Sequence, residues 1–80
     1  MQPDDVLDAC GFPCPLPLLK TKQALSRLSS GQLLEVMATD AGAWRDVVSF
    51  VELSTHELEA REERDGIYYF WIRKGKEVTT

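Results

Sequence analysis

Three prolines, at positions 13, 15 and 17, crowd one short run of the chain: Asp8-Ala9-Cys10-Gly11-Phe12-Pro13-Cys14-Pro15-Leu16-Pro17-Leu18-Leu19-Lys20. Proline carries no amide hydrogen and pushes the residue before it out of the helical region. No strand ladder can run through this stretch and no helix can cross it. A helix can begin here, because the first-turn amides lack intrahelical acceptors whatever residue bears them. The run therefore fixes a strand-to-helix boundary and places Cys14 at or beside the cap.

The remaining elements follow from that boundary. A short strand is predicted from residue 5 to 9 or 10, a turn over 11–13, and a helix from Pro15 to about Leu28, stopped by Ser29-Ser30-Gly31. Its expected buried stripe is Leu18, Thr21, Ala24, Leu25 and Leu28, with Leu16 and Leu19 off to the side near Lys20. Residues 32–40 read as a second strand, with Asp40 as cap of a second helix over about 42–53. That helix shows an apolar stripe of Trp44, Val47, Val48 and Val51, widened by Ala43 and Phe50. Residues 57–64 read as a third strand, Asp65-Gly66 as a hairpin turn, and 67–74 as a fourth, central strand.

The order β-α-β-α-β-β implies an α+β fold. With right-handed crossovers it is a two-layer α/β sandwich, two helices on one face of a mixed four-stranded sheet. The whole chain, 1–80, is one domain, with 1–4 and 75–80 expected to be flexible. The fourth strand is apolar on both sides: Tyr68, Phe70 and Ile72 on one, Ile67, Tyr69 and Trp71 on the other. The second set either lies under long charged side chains of the third strand or forms an interface.

Composition narrows the function. Of 80 residues 44% are apolar, as in a globular domain, and no apolar run nears the roughly 20 residues that cross a bilayer. The acidic start, Met-Gln-Pro-Asp-Asp, is unlike a secretory signal, so a cytoplasmic location is expected. A net charge of −4, from 9 basic and 13 acidic side chains, disfavours direct nucleic-acid binding. Cys10, Cys14 and His56 fit no zinc spacing, so neither a metal nor a cofactor is expected.

Both cysteines of the chain sit at the first turn. A thiol at a helix N-terminus meets the positive end of the dipole and free amides, which favours thiolate. On the residues alone, a reactive Cys14 and a packed, inert Cys14 are equally supported. Leu16 and Leu19, apolar and off the stripe, suit partner docking beside a reactive sulfur or packing under a loop.

The stretch "LDACGFPCPLPLLKTKQAL" resembles the TusA (SirA-like) sulfur-carrier family, whose signature is a Cys-Pro-x-Pro motif after a strand ending Leu-Asp-x-x-Gly. Here these are Cys14-Pro15-Leu16-Pro17, Leu7-Asp8 and Gly11. The likeness extends to Thr39-Asp40, Asp46, Phe50 and His56-Glu57-Leu58. It implies a sulfurtransferase-type persulfide relay more than an autonomous enzyme. A cysteine desulfurase or other sulfurtransferase would load Cys14, and an acceptor protein of tRNA thiolation, molybdenum cofactor maturation or sulfur oxidation would unload it. Gly11, Pro15 and Pro17 would shape the turn, Leu16, Leu19 and Lys20 would meet partners, and the protein would act as a monomer. Pro13 stands where relatives often carry a basic residue, leaving Lys20 or Lys22 to supply a cation. Cys10 is either a packing residue or a resolving thiol. The rival functions are a Cys10–Cys14 thiol-disulfide switch and a non-catalytic interaction module.

Overall fold

The structure is a computed structural model that describes residues 2–76. Its elements are β1 (Asp5–Ala9), α1 (Leu16–Ser26), β2 (Leu33–Ala38), α2 (Ala43–Glu52), β3 (Glu57–Arg64) and β4 (Ile67–Arg73), in the predicted order. The sheet runs β1-β2-β4-β3, with β1 parallel to β2 and β4 antiparallel to both its neighbours. The aromatic β4 is internal, as its composition predicts. Asp65 and Gly66 turn the β3–β4 hairpin with φ of 52° and 80°, the left-handed pair that a tight two-residue turn requires.

Side chains two apart on a strand share a face. Leu34 and Val36 of β2 and Phe70 and Ile72 of β4 pack with Ala24 and Leu25 of α1 and Val47 and Val51 of α2. Both helices therefore cover one sheet face, and the core lies between the layers. The stripe of α2 is as predicted, with Val47 and Val51 buried and Trp44, Val48 and Phe50 packed at its edges. On α1 the buried row is Pro17, Thr21, Ala24 and Leu25, while Leu18 is only half-buried. Pro17 is fully buried, and its carbonyl accepts the Thr21 hydroxyl at 2.7 Å, which satisfies a buried polar group.

The opposite face has no second layer. Tyr69 and Trp71 stack there at 6.1 Å between ring centres, with the Arg64 guanidinium 4.8 Å from the Tyr69 ring. The Trp71 indole N–H donates to Glu35 at 2.8 Å. Charged side chains thus shield these aromatics, which favours the first of the two readings of this face. Leu58 lies opposite Ile72 and Ala60 opposite Trp71, so Glu59 is an extra residue on β3. That bulge returns Arg61 to the helix side, where its guanidinium stands 4.7 Å from the Trp44 ring.

The segments flanking the sheet are tied to it. Asp4 exchanges two hydrogen bonds with the Leu33 backbone, both 2.7 Å, through its amide and its carboxylate. The Gly75 amide donates to His56 Nδ1 at 2.9 Å, and the Thr55 hydroxyl donates to the Lys76 carbonyl at 2.7 Å. Met1 and residues 77–80 lie outside the described residues. Lys74, read from the sequence as the end of the last strand, is buried just beyond β4, and its ammonium donates to the Leu25 carbonyl at 2.7 Å. It places a cation on the carbonyl end of α1, where the helix dipole favours one.

Two measurements test these ties. Lys74→Met should lower the unfolding free energy by about 1–3 kcal/mol in urea titrations, whereas exposed Lys76→Met should change it by less than about 0.5. Burial, and then the Lys74 charge, hold His56 below its ordinary value of 6.5. The folded state therefore prefers neutral His56. The stability this supplies is complete above the ordinary value and is lost as pH falls through the lowered one. His56→Asn keeps an acceptor for the Gly75 amide without titrating, so its melting temperature should drop less than the wild type's between about pH 7 and pH 5.

Candidate functional site

Parallel pairing of β1 and β2, with Ala9 opposite Ala38, brings the two strand ends side by side. Both helices start from that edge. The Gly11 amide donates to the Thr39 hydroxyl at 2.9 Å, joining the loop after β1 to the loop after β2. Gly11 has a φ of 84°, a conformation that a side chain would disfavour.

The motif turn follows. The Leu16 amide donates to the Pro13 carbonyl at 2.9 Å, closing a four-residue turn with a cis Cys14–Pro15 peptide at its centre. Cys14 sits exposed on this turn, and its thiol donates to the Asp46 carboxylate, with Sγ 3.4 Å from Oδ2. Asp46 lies in the first turn of α2, its amide bonded to the Gly42 carbonyl at 3.0 Å. Gly42 is the cap residue of α2. A Cβ there would stand 3.0 Å from Asp40 Oδ2, 3.6 Å from Asp46 Oδ2 and 3.9 Å from Cys14 Sγ. A side chain there would crowd the Asp40 carboxylate and only touch the other two groups. Asp40 is not the helix cap expected from the sequence: its carboxylate accepts the Gly42 amide at 3.0 Å and shapes the turn one step earlier.

The electrostatics reverse the expectation of a stabilised thiolate. The hydrogen bond to Asp46 pushes the Cys14 thiol above its ordinary value of 9.0, followed by partial burial and the charges of Asp46 and Asp40. The helix offers little to oppose them. Pro15 and Pro17 have no amide hydrogen, and that of Leu16 is already engaged. Nor do the lysines supply the cation expected of them. The Lys20 ammonium lies 4.5 Å from the Phe12 ring centre, and that of Lys22 lies 5.3 Å from the Phe50 ring centre.

The other sequence-predicted residues are distributed as follows. Leu16 and Leu19 are exposed, at 39% and 45%, on the surface around the motif turn. Pro17 is a buried residue of α1, and both it and Pro15 line a niche with Cys14, Leu18 and Ala43. Cys10 is half-buried and turns toward Asp8, whose carboxylate accepts the Cys10 amide at 3.0 Å. Burial first, then hydrogen bonding to Asp8, pushes its thiol up as well. Both cysteines are free thiols. Among the described residues no group of three or more His, Cys, Asp or Glu side chains converges as a metal site, and no helix is long and apolar enough to cross a membrane. Asp46 and Gly42 are the site residues that sequence reasoning missed. Asp46 is among the positions that carry the family resemblance, but nothing in the sequence signals its contact with Cys14.

The chain is similar to known proteins over nearly all of its length. The family model described as "Sulfurtransferase TusA" matches residues 5–74. A putative sulfur carrier protein of Bacillus subtilis, YrkI, is 45% identical over 75 residues, covering 94% of this chain and all of that one. The sulfur carrier protein TusA of Allochromatium vinosum is 44% identical over 71 residues, 89% of this chain and 93% of the other. Among solved structures, a SirA-like protein from Desulfitobacterium hafniense superposes with a TM-score of 0.78 at 26% identity, covering 90% of this chain and 99% of that one.

A direct test of the site's electrostatics is alkylation of Cys14 by iodoacetamide in a Cys10→Ala background. Its rate should keep climbing with pH past the ordinary thiol value of 9.0 instead of levelling off below it.

Proposed function

The chain belongs to the TusA sulfurtransferase family, and from that premise we propose that it relays sulfane sulfur as a persulfide on Cys14. The observation that carries this reading is the exposed Cys14 thiol on the motif turn, reachable by another protein.

The chemistry is a symmetric exchange. The Cys14 sulfur attacks the outer sulfur of a donor persulfide. A bond forms between Cys14 Sγ and that sulfur, and the donor's S–S bond breaks with its electron pair on the donor cysteine. The Cys14 proton ends on the departing thiolate, and no net oxidation occurs. Unloading repeats the step with an acceptor thiol as nucleophile and Cys14 as leaving group. Such a carrier needs an accessible sulfur, a rigid turn and a surface that two partners can use in succession.

Gly11 and Pro15 shape the turn, Pro17 anchors it to the core, and Leu16, Leu19 and Lys20 form the surface that partners meet. The donor is a cysteine desulfurase or another sulfurtransferase, and the acceptor is a protein thiol. The outlet lies among tRNA thiolation, molybdenum cofactor maturation and sulfur oxidation, each of which consumes carrier-borne sulfane sulfur. A half-buried Cys10 turned toward Asp8 favours a packing role over a resolving one.

Incubation with a cysteine desulfurase and cysteine, followed by intact-protein mass spectrometry without reductant, tests the proposal. The expected product gains one sulfur atom at Cys14, loses it to dithiothreitol, is absent in Cys14→Ser and persists in Cys10→Ala. A loss of two hydrogens in place of that gain would mean a Cys10–Cys14 disulfide and would replace the carrier with a redox switch.

A further inference from the structure

Asp46 has one evident structural duty, as the acid of the first turn of α2, where the helix dipole favours a carboxylate. Among the described residues it forms no salt bridge, and the hydrogen bond its side chain makes is the one it accepts from Cys14 at 3.4 Å. It is half-buried on the first turn of α2, held there by the bond from its amide to Gly42. The charged groups around Cys14 are few. Asp46 comes from α2 and Asp40 from the turn after β2. Lys20 and Lys22 of α1 are engaged with aromatic rings, and Asp8 of β1 is bonded to the Cys10 amide. Negative charge therefore dominates at the sulfur.

We propose that Asp46 guards the relay: its carboxylate holds the Cys14 proton at rest and makes negative charge on Cys14 Sγ costly, so that sulfur is neither taken nor surrendered without a docked partner. The inference rests on the carrier reading of Cys14. Two steps carry it. In unguided loading, Cys14 must be an anion to attack. A neighbouring carboxylate makes that anion rarer, and for each tenfold loss of thiolate the surviving anion gains only about threefold in nucleophilicity, so neutral-pH attack slows by about threefold.

In unguided unloading, a small thiolate attacks the outer sulfur of the Cys14 persulfide. The new S–S bond forms to the attacking sulfur, and the Cys14–sulfur bond breaks with its electron pair on Sγ, which then takes a proton from water. Sγ leaves as an anion beside Asp46, and a costlier anion leaves more slowly. A partner that sets a positive charge against the carboxylate removes both obstacles at once.

Asp46→Asn keeps the shape and loses the charge; Asp46→Ser serves if the amide perturbs the fold. Both are studied with Cys10→Ala and checked by circular dichroism and thermal melting. In the folded variants, iodoacetamide should alkylate Cys14 faster than wild type near neutral pH, by about threefold for each tenfold gain in thiolate. At alkaline pH, where both thiols are ionised, it should react no faster than wild type or more slowly. Protein loaded with inorganic polysulfide should lose its extra sulfur to excess glutathione several-fold faster than wild type, read by intact mass. A merely structural Asp46 would not produce a crossing pair of pH profiles. Superimposable profiles and equal unloading rates in folded variants would overturn the guard. If the profiles cross but no desulfurase loads wild-type Cys14, the carrier reading fails and the electrostatic role of Asp46 stands.

Discussion

Everything at the reactive end depends on the parallel pairing of β1 with β2, in which Asp5 to Ala9 lie opposite Leu34 to Ala38. Two parallel neighbours end at the same edge, so the loop after each must leave from one place, and a helix begins after each. That arrangement is why Cys14, which follows β1, reaches Asp46, which is 32 residues away in sequence. An antiparallel pair would send the two loops to opposite ends of the sheet. The Gly11–Thr39 bond then pins the loops.

The other end of the molecule solves a different problem. Both helices crowd one face, so β4 is left with aromatics on a face that no layer covers. Stacking of Tyr69 on Trp71, the Glu35 acceptor for the indole and the Arg64 cap convert that face into an amphipathic surface. The β3 edge carries Glu57, Glu59, Arg61, Glu62, Glu63 and Arg64, a density of charge that discourages strand addition by another chain. The Glu59 bulge bends the same edge. Lys74, coming off β4, bonds the carbonyl end of α1, so a central strand and the helix layer are joined at the end remote from Cys14.

The elements were legible because their signals are local. Period-two strands, an apolar helical stripe on α2, Asp65-Gly66 and the proline boundary all act within a few residues. The helix-one stripe holds at Thr21, Ala24 and Leu25 and fails at its first position, where Pro17 is buried and Leu18 only half-buried, because Pro17 was read for its backbone alone. The bulge at Glu59 left no mark in a strand whose charged residues sit on both faces. The cis peptide at Pro15 is equally silent in the sequence, since either isomer satisfies the same residues. The site was half legible. Cys14 announced itself through its motif, but Asp46 and Gly42 matter only through a contact that the fold creates.

The prolines explain why the electrostatic reasoning from sequence pointed the wrong way. A helix N-terminus favours an anion through its unsatisfied amides, and here the residues that fix the helix start also remove those amides. Pro15 and Pro17 have none, and Leu16 spends its own on Pro13. What remains of the dipole faces two carboxylates, one of them bonded to the sulfur itself. A direct charge contact outweighs partial charges that have lost most of their donors. The outcome suits a carrier better than a strongly stabilised thiolate would. A thiol that ionises easily is oxidised easily and surrenders its sulfur easily to any passing nucleophile, whereas a relay has to hold its cargo between two specific encounters. The motif turn therefore supplies exposure and rigidity, and α2 supplies the charge that restrains the exposed atom.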